Sequence, residues 1–304
     1  MAIGLYWWRP TREIRSLAGE LVRHAQAWAR LVAAQKGGFC NFGDEYSFLL
    51  LKHYLREAVE WAPLRRADVV AVGSVLNAYE RAASRALVFG SGVRNPAAIT
   101  ARMLPEGRAV LVRGSLTRDV LGLPSTVPLG DPGLVVRDLA GIGHRPTGSG
   151  PIALPHFAAT QAKEGRAALK CAQAQGYRVV PPNLHPLRVA QAIASSDLVL
   201  TSSLHGLVFS HSLGTPCKLV SLGGHPEPSF KYDDYLSVFE LRSEAPPLAE
   251  LIATHTVSAI IDSIAEETQV VSDRLPTVVG DIDSAARTLV LRLRQLADNR
   301  AATA

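Results

Sequence analysis

A histidine stands at the start of a predicted helix, where an imidazole could move protons next to a bound anion. The segment Asp197–Pro216 predicts a buried strand, a turn rich in hydroxyl groups, and a helix that carries His205 in its first turn. Ser202 or Ser203 is expected to cap this helix, and Gly214 is expected to end it. Open α/β sheets bind ligands at the carboxyl ends of their strands, and the amides of a helix N-terminus favour anions. The expected ligand is therefore a phosphate or a carboxylate.

Polar groups that could complete such a site stand at three further element ends. Arg113 ends a predicted strand, and its guanidinium suits bidentate binding of a carboxylate or phosphate; the alternative is an ordinary surface arginine. His156 follows another strand and mirrors the placement of the first histidine, with a structural histidine as the alternative. Asn41 or Asp44 could cap a helix, with Gly43 allowing close approach of the backbone.

Lys231 lies beside aromatic residues and two aspartates in the segment Phe230–Tyr235. Such a cluster can line a sugar pocket, and the alternative is a solvated helix face. Gly130–Pro132 predicts a turn. The sequence lacks the phosphate-binding loop, the dinucleotide-binding glycine pattern after the first strand, the Gly-x-Ser-x-Gly elbow and the paired histidines of zinc proteases. Serine hydrolysis and zinc proteolysis are therefore disfavoured.

The composition is that of a globular protein with a modest excess of positive charge. Of the 304 residues, 47% are hydrophobic and 19% are charged, with 32 Lys and Arg against 27 Asp and Glu. The excess is scattered, which disfavours nucleic acid as a partner and leaves an anionic small substrate or a membrane surface open. The three cysteines lie far apart, so neither a disulfide framework nor a metal site is expected. Without a secretory signal or a run of about 20 apolar residues, the chain is expected to be soluble and cytoplasmic.

Short apolar strands alternate with helices through most of the chain, which predicts βαβ units and parallel sheets. The glycine- and proline-rich stretch Gly141–Pro151 is predicted to link two α/β domains, over residues 1–140 and 151–304, with the last helix free to pack back on the first domain. The predicted strands are 2–8, 68–73, 86–90, 109–113, 152–155, 177–180, 198–200 and 217–221. Besides the helix that begins after the Ser202–Ser203 turn, the predicted helices are 11–35, 45–60, 158–175, 186–194, 257–274 and 283–299.

Taken together, these segments resemble the polysaccharide pyruvyl transferase family, especially its bacterial exopolysaccharide branch of succinoglycan-type ketal pyruvyltransferases. The motifs that carry the resemblance span nearly the whole chain in family order: Tyr6-Trp7-Trp8, Asn41-Phe-Gly-Asp44, Val72-Gly-Ser-Val-Leu76, Val112-Arg-Gly114, Gly130-Asp-Pro132, Leu154-Pro-His156, Thr201-Ser-Ser-Leu-His-Gly206 with Gly214-Thr-Pro216, and Phe230-Lys-Tyr-Asp-Asp-Tyr235. The segment around His205 is the most specific. The stretch between Trp8 and Asn41 is longer than the resemblance leads us to expect, and a lid, a membrane-facing helix or an interface are its candidate roles.

The resemblance implies two Rossmann-like domains that face each other across a cleft, as in GT-B glycosyltransferases. It also implies phosphoenolpyruvate as donor, a saccharide acceptor from exopolysaccharide or cell-surface glycan synthesis, and neither a cofactor nor a metal. A lipid-linked acceptor would place the protein at the inner face of the membrane, with peripheral association as an option.

With this resemblance, the residue chemistry assigns three groups to the expected site. The catalytic residues are His205 as acid/base, Arg113 as a cation clamp, His156 as a second proton-handling or phosphate-binding group, and Asp44 as the orienter of an acceptor hydroxyl. The donor-binding residues are Ser202, Ser203, Leu204, Gly206 and Lys231, and the acceptor-binding residues are Asn41, Gly43, Gly73 and Ser74.

Two other functions stay compatible with the sequence. A GT-B glycosyltransferase that uses a nucleotide sugar would have the same architecture and the same sites at strand ends. A non-catalytic sugar-binding protein of a biosynthetic assembly is the third alternative. Release of phosphate from phosphoenolpyruvate, release of a nucleoside diphosphate, or saccharide binding without turnover would distinguish the three.

Overall fold

A computed structural model describes six stretches of the chain, residues 2–9, 41–79, 82–99, 104–142, 148–223 and 227–303. The helix predicted at 11–35, and with it most of the long stretch before Asn41, lies outside the described residues. The same holds for residues 143–147 of the predicted linker.

The first half of the chain builds a sheet of five parallel strands in the order β2-β1-β3-β4-β5. Its strands are β1 (Ile3–Tyr6), β2 (Val59–Trp61), β3 (Val69–Val70), β4 (Leu87–Phe89) and β5 (Ala109–Leu111). Its helices are α1 (Phe42–Tyr54), α2 (Ser115–Val120) and α3 (Val136–Ala140). The inner strands are apolar and buried, as expected for a parallel sheet that is covered on both faces.

The prediction of a helix at 45–60 is wrong at its C-terminal end. Helix α1 stops at Tyr54 because Leu55 is extended, and Val59–Trp61 instead pairs with β1 as an edge strand. The β-branched and aromatic residues of this short segment suit a strand better than a helix.

The second half builds a separate sheet of four parallel strands in the order β7-β6-β8-β9. Its strands are β6 (Ile152–Leu154), β7 (Arg178–Val179), β8 (Val199–Thr201) and β9 (Cys217–Leu219). Its helices are α4 (Lys163–Ala174), α5 (Pro186–Ala194), α6 (Leu204–Leu213), α7 (Phe230–Leu236), α8 (Leu248–Thr254), α9 (Val257–Ser263) and α10 (Ala265–Thr303). The helix predicted at 257–274 is divided at Ile264, whose backbone leaves the helical region, and α10 contains the helix predicted at 283–299.

One apolar core connects the two sheets. Phe209 of α6 packs edge-on against Phe42 and Tyr46 of α1, with ring centroids 5.4 and 5.1 Å apart, and this cluster continues to the strands of both sheets. Helix α10 also contacts the first half, where the hydroxyl of Tyr54 donates to Asp283 at 2.8 Å. The α/β fold with parallel sheets is therefore confirmed. Among the described helices, none is long and apolar enough to cross a bilayer.

Candidate active site

A cavity of about 490 Å³ opens where polar residues from both halves of the chain meet. The N-termini of α1 and α6, the loops after β3 and β6, and the start of α7 all contribute to its wall. Its lining includes the aromatic residues Tyr6, Trp8 and Phe157, the histidines His156 and His205, and the charged residues Asp44, Arg94, Glu227 and Lys231. The size and the mixed lining fit a site for a small, charged ligand.

Hydrogen bonds in the turn before α6 fix the N-terminus of this helix at the cavity. The hydroxyl of Thr201 donates to the carbonyl of Leu154 at 2.7 Å and accepts the amide of Ser203 at 3.0 Å. Ser203 then caps the helix, because its hydroxyl accepts the amide of Gly206 at 3.4 Å. A Cβ on Gly206 would lie only 2.2 Å from the Thr201 hydroxyl, which explains the glycine.

The ring of His205, which belongs to the second half of the chain, lies between two residues of the first half. On one side, a Cβ on Gly43 would lie 2.0 Å from its Nδ1 atom, so the backbone of α1 touches the imidazole only because this residue is glycine. On the other side, Nε2 lies 3.8 Å from Oδ2 of Asp131. The second carboxylate oxygen of Asp131 accepts the amide of Gly133 at 2.9 Å. We call His205 and Asp131 the dyad.

Burial sets the protonation of the dyad. It lowers the pKa of His205 to about 3, assisted by the positive charges of Arg113 and Lys231. It raises the pKa of Asp131 to about 6, against the opposing effects of the Gly133 amide and Arg113, and Asp234 raises it further. Near neutral pH the imidazole is therefore uncharged, and the carboxyl group is the member of the dyad that titrates closer to neutrality.

A second group of charges meets at the opposite wall, around Glu227. Arg94 contacts both carboxylate oxygens, with Nη2 at 3.0 Å from Oε1 and Nε at 3.2 Å from Oε2. The ammonium group of Lys231 donates to Oε2 at 2.8 Å, and Nδ1 of His156 lies 3.5 Å from Oε1. We call Arg94, His156, Glu227 and Lys231 the anion cluster.

Burial and mutual charge also shift the pKa values in the anion cluster. Burial lowers the pKa of Lys231 to about 8, although Glu227 opposes this change. Burial also lowers the pKa of His156 to about 3, with Lys231 adding to the effect. Burial alone would raise the pKa of Glu227, but His156 when protonated, Lys231 and Arg94 together lower it to about 2. At neutral pH, Glu227 is thus a carboxylate held by cations.

Arg113 lies behind the cavity wall and does not line it. Its fully buried guanidinium donates from Nε to Asp234 at 2.9 Å, from Nη2 to the carbonyl of Val93 at 2.7 Å, and from Nη1 to the hydroxyl of Ser74. Asp234 also accepts the amide and hydroxyl of Thr117 in α2, at 2.6 and 2.7 Å. This network ties α7 to the first half of the chain and holds Ser74 at the cavity.

The segment around Lys231 is packed rather than solvated, which corrects the alternative of a solvated helix face. Tyr232, Asp234 and Tyr235 of α7 are buried with Lys231. The hydroxyl of Tyr232 donates to the carbonyl of Ser202 at 2.7 Å, which links α7 to the turn before α6.

The acceptor-side residues form a third wall, at the start of α1. The amide of Asn41 donates to Asp44 at 2.7 Å, and both side chains line the cavity. Gly73 follows β3 with a φ of 110°, a conformation that favours glycine, and brings its backbone against the Asp44 carboxylate. The rings of Trp8 and Phe157, with centroids 5.0 Å apart, form an aromatic surface at the same cavity.

The chain is similar in sequence to proteins of a known family. The sequence model of the polysaccharide pyruvyl transferase family matches residues 38–224, which is more than half of the chain. The chain belongs to the polysaccharide pyruvyl transferase family. The matched range contains the dyad, Arg94 and His156, whereas Glu227 and Lys231 follow it. No solved structure matches the chain.

A curated relative supports the same branch of the pyruvyl transferase family. The succinoglycan biosynthesis protein ExoV of Rhizobium meliloti (strain 1021) is 29% identical to the chain over 197 residues. This match covers 64% of the chain and 60% of the relative's own length.

The structure brings most of the predicted site residues to one cavity of this pyruvyl transferase family member. Those that line the cavity are His156, His205, Asp44, Ser203, Leu204, Lys231, Asn41, Gly73 and Ser74. Those that support it from behind are Arg113, Ser202, Gly206 and Gly43. Within the described stretches, no group of three or more His, Cys, Asp and Glu side chains is arranged to hold a metal ion.

Three residues of the site are not among those predicted from the sequence: Asp131, Arg94 and Glu227. Where a turn was predicted at Gly130–Pro132, the extended Asp131 caps a short 3-10 helix, Pro132–Val135, and is fully buried beside His205; the Asp-Pro cap was the available signal. Glu227 precedes Lys231 by four residues, a spacing that allows an ion pair. Nothing local marks Arg94, because its partner Glu227 is 133 residues away.

Proposed function

We propose that the protein transfers the pyruvyl group of phosphoenolpyruvate to two hydroxyls of a saccharide, forming a cyclic ketal and releasing phosphate. In this reaction the methylene carbon of the donor gains a proton, and one sugar hydroxyl attacks the adjacent carbon. The C–O bond to phosphate then breaks, and the second hydroxyl closes the ring. One hydroxyl proton returns to the protein and the other leaves on the phosphate, so that protons and charge balance.

The observation that carries this proposal is His205 at a helix N-terminus in the cavity wall of a pyruvyl transferase family member, with the buried Asp131 behind it. Protonation of a carbon needs a positioned acid, and His205 lines the cavity with its Nδ1 atom on the side of α1. As Nδ1 gives its proton to the donor, Nε2 takes one from Asp131, whose raised pKa suits this exchange. The buried imidazole then stays neutral throughout, which avoids the cost of burying a new charge.

The remaining walls suit the other parts of the reaction. Lys231, Arg94 and His156 would bind the anionic groups of the donor. Asp44, oriented by Asn41, would accept a hydrogen bond from an acceptor hydroxyl, and the aromatic surface of Trp8 and Phe157 would pack against a sugar ring. Arg113 is a positioning residue that holds Ser74 and adds positive charge behind the wall. No step of this scheme calls on a metal or a cofactor.

We also propose that the chain has the two-domain, GT-B-like arrangement, with domains over residues 1–140 and 151–304. The two separate parallel sheets and the cavity lined from both halves support this division. A lipid-linked acceptor, a cytoplasmic location and peripheral contact with the inner face of the membrane complete the proposal. Trp7 is buried and donates to Glu45 at 3.0 Å, so it contributes to the core rather than to a membrane contact.

Ligand-induced thermal stabilisation tests the choice of donor. A ligand that binds only the folded protein raises its melting temperature by mass action. We expect a rise with phosphoenolpyruvate and none with a panel of nucleotide sugars. A rise with a nucleotide sugar alone would favour glycosyl transfer, and a rise with saccharides alone would favour a binding protein.

A further inference from the structure

Glu227 occupies the position in the cavity wall where an anionic ligand would find its cations. Its side chain is 10% exposed and lies outside regular secondary structure, three residues before α7. Its two oxygens contact Arg94 at 3.0 and 3.2 Å, Lys231 at 2.8 Å and His156 at 3.5 Å. A planar, doubly contacted guanidinium with an adjacent ammonium is the set of groups that recognises a phosphate or carboxylate. The carboxylate of Glu227 therefore occupies a site that is suited to an anionic ligand.

The charge balance of the cavity points the same way. Four of the lining residues in the described stretches have acidic or basic side chains: Arg94 and Lys231 are basic, and Asp44 and Glu227 are acidic. Their formal charges sum to zero, whereas a donor with a phosphate and a carboxylate has up to three negative charges. Like charges repel strongly in a poorly hydrated cavity. Such a ligand therefore cannot bind Arg94 and Lys231 while the Glu227 carboxylate is paired with them. Of the two acids, Glu227 is the one that contacts both cations.

We propose that Arg94, Lys231 and His156 form the phosphate subsite of the donor, and that the carboxylate of Glu227 fills this subsite until the donor displaces it. This inference rests on the proposed function for the identity of the donor. It makes Glu227 a specificity residue, because a phosphate group with two charges competes for the cations better than a single carboxylate. Monoanions such as pyruvate are thereby excluded.

The test is a calorimetric titration of the full chain with inorganic phosphate, phosphoenolpyruvate and pyruvate. Glu227→Gln keeps the shape of the side chain but removes its charge, so we expect the Kd of phosphate and of phosphoenolpyruvate to fall about tenfold, which is about 1.4 kcal/mol. Pyruvate should bind Glu227→Gln measurably and the wild type not at all. Arg94→Gln should weaken phosphate binding about tenfold. Glu106→Gln, an exposed site with the same loss of charge, should leave all three affinities unchanged.

The outcomes separate this inference from the proposed function. If Glu227→Gln binds phosphate as weakly as the wild type or more weakly, Glu227 organises the cations rather than competing for them, and the inference is wrong even where ketal forms. If Glu227→Gln binds phosphate more tightly while the wild type forms no ketal, the subsite stands and the donor assignment is wrong. If Glu227→Gln folds poorly, Arg94→Gln provides an independent test. Unchanged phosphate binding in Arg94→Gln would show that Arg94 does not belong to a phosphate subsite, and the inference would be wrong.

Discussion

Replacing Asp131 with asparagine should make the protein more stable at neutral pH and less active. Burial raises the pKa of this carboxyl from 3.8 to about 6. Because the folded state then binds the proton more tightly than the unfolded state, the free energy of unfolding falls as the pH rises between these two values. The full difference corresponds to about 3 kcal/mol of stability lost above pH 6.

Asp131→Asn removes the charge and keeps the oxygen that accepts the Gly133 amide. We therefore expect the variant to exceed the wild type by about 3 kcal/mol at pH 8 and by less than about 1 kcal/mol at pH 4. The assay is urea unfolding, followed by tryptophan fluorescence at five pH values from 4 to 8. Asp119→Asn, which makes the same change at an exposed site, is the matched control and should show no such pH dependence.

The same variant should lose activity, because an asparagine cannot give a proton to Nε2 of His205. Loss of acid/base assistance typically costs about 10² to 10⁴ in rate, so kcat should fall by at least about 10²-fold while the Kd of phosphoenolpyruvate changes little. If Asp131→Asn is instead less stable than the wild type at pH 8, the carboxylate is stabilised by a protonated His205. That result would refute the uncharged state of the His205 imidazole.

Three further substitutions test the parts that position the site. Gly43→Ala places a methyl group against the imidazole of His205, so we expect a large fall in kcat and, as overpacking does, a loss of about 1–3 kcal/mol of stability. Asp234→Asn leaves the buried Arg113 without its charged partner and should cost about 3–5 kcal/mol in urea unfolding. Trp8→Ala removes half of the aromatic surface and should raise the KM of the saccharide acceptor several-fold, with the Kd of phosphoenolpyruvate unchanged in calorimetry.

Controls for these variants are available within the chain. Gly280→Ala adds a methyl group in α10, where nothing lies within 4 Å, and should leave kcat unchanged. Full activity of Gly43→Ala would mean that catalysis does not depend on the position of the His205 imidazole against α1. A stability loss below about 1 kcal/mol for Asp234→Asn would show that water reaches Arg113. A weaker Kd for phosphoenolpyruvate in Trp8→Ala would move the aromatic surface to the donor side.

Local signals made much of the fold predictable from the sequence. The helix after Ser203 ends at Gly214 as expected, because a serine cap and a left-handed glycine act through neighbouring residues. The helix at Pro186–Ala194 has its predicted bounds because Pro186 stands at its first position and the side chain of His185 accepts the amide of Leu187. Glu60 was assigned to a helix in error because a short edge strand is decided by its pairing with β1, which no local pattern records.

The site was predictable only where one segment carries its chemistry. His205 stands at a helix start that the sequence itself defines, whereas its partner Asp131 comes from the other half of the chain. The Arg113–Asp234 pair spans 121 residues, so the arginine that resembles a ligand clamp is in fact engaged inside the protein. Charge partners at such separations depend on how the two sheets pack, and packing is not encoded in spacing.

The most direct test of pyruvyl transfer uses phosphoenolpyruvate labelled with carbon-13 at the carbon that bears phosphate. The full chain is incubated with this donor and a panel of saccharides from exopolysaccharide synthesis, and carbon NMR is recorded beside a phosphate assay. The predicted result is a new ketal carbon bonded to two sugar oxygens, with one phosphate released per ketal, and no product with His205→Ala. Consumption of a nucleotide sugar with release of nucleoside diphosphate, while the labelled donor stays intact, would contradict pyruvyl transfer.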